Sequence, residues 1–387
     1  MLNPGHLILG GCLSLTVGLA VLASILLIAV ASMGAKPGSS NRIIGVTDVD
    51  LALAQLDSSS VRYVLRPIKV IATKGDTKRL SQELIRYVET DPPDAVHAMD
   101  DDLDWGVDSI NAELVWGIKE GARDVVPGQG GAGIKVAIVD TGVHCNHEDL
   151  TPGCNFGANF VNPPFTGDDS GHGTHVAGLV AARDNGIGTI GTAPEVSLYS
   201  VKVLDNTASG TWSAVAAGIV WAADNGMNVV NMSLGGTGFS QAVLDAVNYA
   251  HNRGVLIVSA AGNEGGCSTC DTLLYPAKYP NSMAVGAVGR NNRRASFSST
   301  GPDLDVVAPG VNNLSPMPPD LYLRNSGTSM ATAHVSGVGA LLMSRGLTNV
   351  EARQRIRNTA APHTRDWVTG CGSIDALRAI NNVGTLC

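Results

Sequence analysis

The sequence predicts an α/β fold in which a parallel sheet is covered by helices on both faces, and three observations carry this. From Trp105 onward, short apolar runs rich in β-branched residues recur along the chain. Ala-rich stretches with helical spacing separate them. The 46 glycines follow no Gly-X-Y period, so they mark tight turns rather than a collagen helix.

The elements follow in order. Ile134–Val139 is the first buried-type strand, and Val196–Val203, Val229–Met232 and Val255–Ser259 continue the set. Apolar residues predominate in these runs, as expected where both faces of a parallel sheet are buried. Helices are expected between them at His175–Ala182, Ser213–Asn225 and Ser240–Asn252. In such sheets ligands bind beyond the carboxyl ends of the strands.

Three segments precede this part. Leu7–Met33 is an uncharged run of 27 residues, long enough to span a bilayer. Ala29-Val30-Ala31 offers a small-residue cleavage site, so residues 1–34 read as either a signal peptide or a membrane anchor. Residues 35–60 turn to Gly, Ser, Asp and Thr and read as a linker. Residues 61–99 form a small α/β unit: strands at Val61–Leu65 and Lys69–Ala72, then a helix over Asp76–Glu89 that Pro92 and Pro93 stop.

The chain of 387 residues is 44% hydrophobic and 16% charged, which excludes wholesale disorder. Residues 100–387 carry 17 Lys/Arg against 26 Asp/Glu, an acidic balance that argues against a nucleic-acid partner. Six of the seven cysteines (145, 154, 267, 270, 371 and 387) lie beyond residue 100; an even number suits an oxidising compartment and allows 15 pairings.

The chemistry concentrates in three places. Asp140 ends the first strand, His172 opens a helix in Ser170-Gly171-His172-Gly173-Thr174-His175, and Ser329 stands where a loop meets a helix in Gly327-Thr328-Ser329-Met330-Ala331. An acid, an imidazole and a hydroxyl so placed are the parts of an activated nucleophile. The His accepts the Ser proton, and the Asp fixes the tautomer and offsets the imidazolium charge. His175 reads as a structural neighbour, and His144 with His147 indicate no third metal ligand.

With Asn231–Gly236 and Ala260–Gly265, five ordered motifs between Trp105 and Ile380 resemble the subtilisin (subtilase) family of serine endopeptidases. The resemblance implies a subtilisin-like three-layer αβα catalytic domain over residues 100–387. It also implies polypeptide substrates and an acyl-enzyme on Ser329, and a protease of this size is most simply a monomer. By the same resemblance Asn263 donates to the oxyanion, and Ser233-Leu234-Gly235 is the edge strand that pairs with an extended peptide. Ser209-Gly210-Thr211 flanks the substrate on its other side. Trp212, Leu204 and Leu234 form the pocket for the fourth residue before the cut, while Ala260, Ala261 and Gly262 wall the first pocket. Leu274 matches that pocket's floor, where a small residue is frequent, so a shallower pocket is expected. No acidic pair stands at the pocket, which argues against a Lys/Arg-specific processing enzyme.

The resemblance further implies a structural Ca²⁺ held by Asp149 and Asn185 side chains and the carbonyls of Arg183, Ile187 and Thr189, with Asp101 as a further ligand. Residues 61–99 resemble the inhibitory propeptide, with the junction at Met99-Asp100. Bridges 145–154 and 371–387 each close a short local segment, and 267–270 lies beside the oxyanion Asn. Two departures from the family stand out: Ala333 where Pro is usual, and Ser326 where Asn is common. The rival expectation is a catalytically silent protein of the same fold, acting as a binding or regulatory module.

Overall fold

The computed structural model describes residues 41–56, 61–65, 70–74, 81, 85–90, 103–116, 125–161, 167–361, 366–384 and 387. The apolar run 7–33, the junction Met99-Asp100 and Asp101 lie outside them. Among the described residues no helix is long and apolar enough to cross a membrane. The chain divides into two compact units, residues 1–96 and 97–387.

The first unit contains β1 (Asn41–Val46), α1 (Val49–Leu53), β2 (Val61–Leu65), β3 (Val70–Lys74) and β4 (Ile85–Thr90). They form a four-stranded sheet in the order β2-β3-β1-β4. Each neighbouring pair is antiparallel. Two expectations are corrected here. The stretch 35–60 read as a linker holds β1 and α1, whose start is capped by Asp48 accepting from the N–H of Leu51 at 3.0 Å. The helix expected over Asp76–Glu89 gives way at its end to β4, because Ile85, Tyr87 and the β-branched Val88 and Thr90 satisfy a strand paired to β1.

The second unit opens with α2 (Trp105–Ser109) and α3 (Glu113–Trp116), followed by β5 (Lys135–Asp140), β6 (Cys154–Asn159) and α4 (His172–Ala181). It continues with β7 (Ser197–Lys202), α5 (Trp212–Asp224), β8 (Val229–Met232), α6 (Gln241–Asn252), β9 (Leu256–Ala260), β10 (Met283–Val288) and β11 (Val306–Pro309). Last come β12 (Asn313–Met317), β13 (Leu321–Asn325), α7 (Thr328–Met343), α8 (Asn349–Thr359) and α9 (Ala376–Asn381). Seven strands form one sheet in the order β11-β10-β9-β8-β5-β7-β6, with every neighbouring pair parallel. β12 and β13 make a separate antiparallel hairpin.

Strand alternation sorts the core into two layers. Val136 and Ile138 of β5 join α4 and α7 residues in one buried cluster. Ala137 and Val139 point the other way, into a cluster with Val215 and Ile219 of α5 and Val243 and Val247 of α6. The three-layer α/β fold is therefore as expected. Helix α7 is buried from Thr328 to Leu342, which suits a helix of small and apolar residues that is not amphipathic. Ala333 sits inside it with no exposure. Successive strands run to opposite sides of β5, so the topological switch lies at the carboxyl end of β5. All three expected disulfides are present: 145–154, 267–270 and 371–387.

Candidate active site

Asp140 is the last residue of β5 and wholly buried. Its Oδ1 accepts from the backbone N–H of Thr141 and lies 2.7 Å from Nδ1 of His172, the first residue of α4. With Asp140 ionised, that contact places the ring proton on Nδ1 and leaves Nε2 as the basic nitrogen. The imidazole is 28% exposed and lines the open groove. Burial works against its charged form, but the charge of Asp140, the hydrogen bond to it, and the charge of Asp168 outweigh that and hold its pKa above the ordinary histidine value.

Ser329 is the second residue of α7 and 8% exposed. Its Oγ donates to the carbonyl of Ser233 at 3.1 Å, and the hydroxyl of Ser233 donates to the carbonyl of Ser329 at 2.9 Å. Ser233 lines the same groove as His172. The Oδ1 of Asn263 accepts from both the N–H and the hydroxyl of Thr328, at 3.0 and 3.1 Å. This fixes the amide so that its Nδ2 is the free donor. A Cβ placed on Gly327 would lie 3.6 Å from that Nδ2 and 3.7 Å from the backbone N of Ser329. Both N–H groups thus lie close to Gly327, with Met330 Sδ 3.5 Å from the same position. Ser326, the departure beside this loop, accepts from the N–H of Asn312 at 2.8 Å.

The groove, of about 520 Å³, brings together most of the expected substrate contacts: Leu204, Ser209, Gly210, Thr211, Trp212, Ser233, Leu234 and Gly235, joined by Ala208, Val215 and Gly236 to Gly238. Leu204 belongs to the buried cluster against which Trp212 and Leu234 pack, an apolar recess at one end of the groove. Residues 233–235 follow directly on the end of β8, and Gly236 exchanges both backbone hydrogen bonds with Tyr275, each 2.9 Å. Ala260, Ala261, Gly262 and Leu274 do not line this groove. Instead Leu274 lies across the gap between the two backbones. A Cβ on Gly262 would come 2.6 Å from its Cγ, and one on Gly235 would come 3.0 Å from its Cβ.

The loop 183–189 wraps the wholly buried Asp149. The N–H of Arg183 donates to the Asp149 carbonyl at 2.9 Å, and the N–H of Thr189 donates to its Oδ2 at 3.0 Å. Asn185 accepts from the N–H of Ile187 and donates to the carbonyl of Glu148. Gly186 and Gly188 supply the left-handed turns, with φ of 82° and 71°. The ring of Tyr322, from β13, occupies the space that a side chain at position 188 would need. The donor set is all oxygen, the class a hard cation prefers. Among the described residues no group of three or more His, Cys, Asp or Glu side chains could hold a metal.

Three further histidines, His147, His175 and His334, are held by hydrogen bonds within the fold. The Nδ1 of His147 accepts from the N–H of Asp149, so its Nε2 donates to the Leu321 carbonyl at 3.1 Å. His175 meets the Leu323 carbonyl at 3.0 Å, and burial pushes its pKa down to about 4. His334, wholly buried in α7 between Thr192 and Asn313, is pushed down to about 3 by burial and by His175.

Sequence reasoning passed over Asp168, 6% exposed in the loop before α4. Its Oδ1 accepts from the hydroxyl of Thr141 and the N–H groups of Ser170 and Gly171, at 2.9, 3.1 and 2.8 Å. Its Oδ2 accepts from the N–H and hydroxyl of Thr174, at 2.8 and 2.6 Å. The signal for it was the acidic pair just before the Gly-His of α4, which reads as a solvated turn until the loop is seen folded inward.

With this geometry in hand, residues 131–374 match the model of the subtilase family. The chain is 42% identical over 323 residues to subtilisin E of Bacillus subtilis, covering 82% of this chain and 81% of that protein. It is 46% identical over 269 residues to subtilisin DY of Bacillus licheniformis, covering 68% and 97%. To an alkaline protease of Alkalihalobacillus alcalophilus it is 44% identical over 305 residues, covering 78% and 77%.

Proposed function

With the chain a member of the subtilase family and a serine-type endopeptidase, we propose that Ser329, His172 and Asp140 carry its chemistry. Ser329 Oγ turns from the Ser233 carbonyl to attack the scissile carbonyl and gives its proton to Nε2 of His172. His172 passes that proton to the departing amine, leaving an acyl-enzyme. Water then attacks with His172 again as base, and Ser329 leaves as the hydroxyl. Asp140 stabilises the imidazolium throughout, and Asn263 with the N–H of Ser329 holds the oxyanion. The observation that carries this reading is the 2.7 Å contact between buried Asp140 and the groove-facing His172.

The substrate is an extended polypeptide laid between residues 209–211 and 233–235. Leu204, Trp212 and Leu234 receive an apolar side chain four residues before the cut, and Leu274 leaves room only for a small residue next to it. A structural Ca²⁺ on Asp149, Asn185 and the carbonyls of Arg183, Ile187 and Thr189, with Asp101 adding a ligand, would stiffen that loop and the β13 residue packed on it.

The enzyme is exported as a zymogen, through residues 1–34 as either a cleaved signal or a retained anchor. Residues 61–99 act as the intramolecular inhibitor, cut at Met99-Asp100. The similarity to subtilisin E supports this by covering more of the chain than residues 100–387 make up. Intact mass and N-terminal analysis with calcium, comparing wild type with Ser329→Ala, test the whole reading. Only the wild type is expected to release a fragment beginning near Asp100. Failure of a fluorophosphonate probe to label the trimmed wild type would refute Ser329 as nucleophile and favour a catalytically silent module.

A further inference from the structure

We propose that Asp168 is the positioning residue for His172: its carboxylate clamps the first turn of α4 to the turn that follows Asp140, and so sets where the imidazole stands. This rests on the reading of His172 as the base.

The clamp can be followed atom by atom. The N-cap of α4 is Gly171, with φ of 90° and no side chain to offer. Asp168, three residues upstream, supplies the missing acceptor, taking the N–H groups of Ser170, Gly171 and Thr174. The same carboxylate holds the hydroxyl of Thr141, which in turn accepts from the N–H of Gly173 at 2.9 Å. Thr141 also donates its own N–H to Oδ1 of Asp140 at 2.7 Å. A continuous path therefore runs from Asp140 through Thr141 to Asp168 and into the residues on either side of His172. Gly173 approaches the carbonyl of Gly142 so closely that a side chain there has no room, which keeps strand end and helix start in contact.

Charge adds a second effect. Asp140 faces His172 from β5, Asp168 from the loop before α4, and His175 from the next turn of α4. The neighbouring Asp169 is neutralised by Lys202 of β7, whose buried Nζ lies 2.7 Å from it and 2.6 Å from the Thr141 carbonyl. Asp168 has no such cation among its hydrogen-bond donors, and its charge joins that of Asp140 in favouring the imidazolium.

The test measures kcat and KM against pH for purified mature enzyme. Asp168→Asn keeps the shape but loses the charge and turns an amide N–H toward Thr174. Its kcat is expected to fall about tenfold or more with KM within about twofold. The acid limb of kcat/KM is expected to move down by about half to one pH unit. Asp168→Glu restores the charge and brings the limb back. Thr174→Val removes the hydroxyl, one of the five donors, while keeping the backbone N–H and the charge, so its limb stays at the wild-type position. If Asp168→Asn does not accumulate folded, Thr141→Val carries the test, with kcat down about tenfold and the limb unmoved. Unchanged kcat and limb in Asp168→Asn, or an equal shift in Thr174→Val, overturns the proposal. A wild type that a fluorophosphonate probe does not label at Ser329 overturns instead the assignment of Ser329 and His172 on which it rests.

Discussion

Leu274→Gly is the substitution whose consequence can be worked furthest. Its side chain crosses from the backbone of Gly235 to that of Gly262, at separations that leave no room for even a methyl on Gly262. On the proposed reading of this gap as the first pocket, a large aromatic residue before the cut has to enter it, so the wild type should favour Ala over Phe there. Removing the isobutyl group opens the space and lets a benzyl group leave water. Full burial of a Phe side chain is worth about 1.5–3 kcal/mol. If the transition state realises all of it, kcat/KM for a Phe substrate should rise about 10- to 150-fold. The Ala substrate gains nothing from the vacated space and should change little. Matched peptide anilides ending in Phe or Ala, assayed with both enzymes, read this directly. A wild type that already prefers Phe, or a Phe rate unmoved in Leu274→Gly, would refute the argument that Leu274 fills the pocket.

Three further outcomes follow from the titrating and ion-binding groups. With His172 as the proposed base, needed neutral, and its pKa held above the ordinary value, kcat/KM should fall as pH drops through a limb lying above about 6.5; a limb at or below 6 in the pH profile contradicts it. His175 and His334 stay neutral when folded down to about pH 4 and 3 but protonate near pH 6.5 when unfolded, so their contribution to stability is complete above about 6.5 and drains as pH falls. Each should cost about 1.4 kcal/mol per pH unit over that window, and a Tm of the Ser329→Ala protein that is flat from pH 6.5 to 4.5 would count against it. Chelation of calcium should lower Tm by about 5–10 °C, the effect of losing a ligand present at about a hundred times its Kd. Asp149→Asn should be insensitive to chelation; equal sensitivity in both proteins would place the ion elsewhere.

The fold was legible because the central parallel strands are buried on both faces and so are largely apolar: Val229–Met232 is a strand to the residue in both readings. The ends of α5 and α6 were fixed to within a residue by Thr211 and Ser240, whose side chains cap them. The first unit was less legible. Its strands are short, paired across long sequence separations, and carry enough alternation to mimic a linker or a helix; Val88 counts toward either period until β1 pairs with it. Within the site, residues that do chemistry stand in motifs, while those that hold them do not. Asp168 and Lys202 have meaning only when β5, β7 and α4 converge, a relation that local spacing does not encode.

That convergence also explains why the site tolerates so much buried polarity. Asp140, Asp168 and Lys202 are each less than a tenth exposed, and each would be costly to bury alone. None is alone: Asp140 meets an imidazole and a backbone N–H, Asp168 takes five donors, and Lys202 spans a carbonyl and a carboxylate. Removing any one partner strands another inside the fold, so damage should spread from one member of the network to the next. Ser329 is differently held. Its hydroxyl bonds to a single carbonyl, that of Ser233, in a residue on the groove wall. A lone neutral hydrogen bond is worth about 1 kcal/mol, so redirecting the hydroxyl toward His172 costs little beside the barrier of peptide hydrolysis. The framework is thus rigid where charge must be placed and loose at the one atom that has to move.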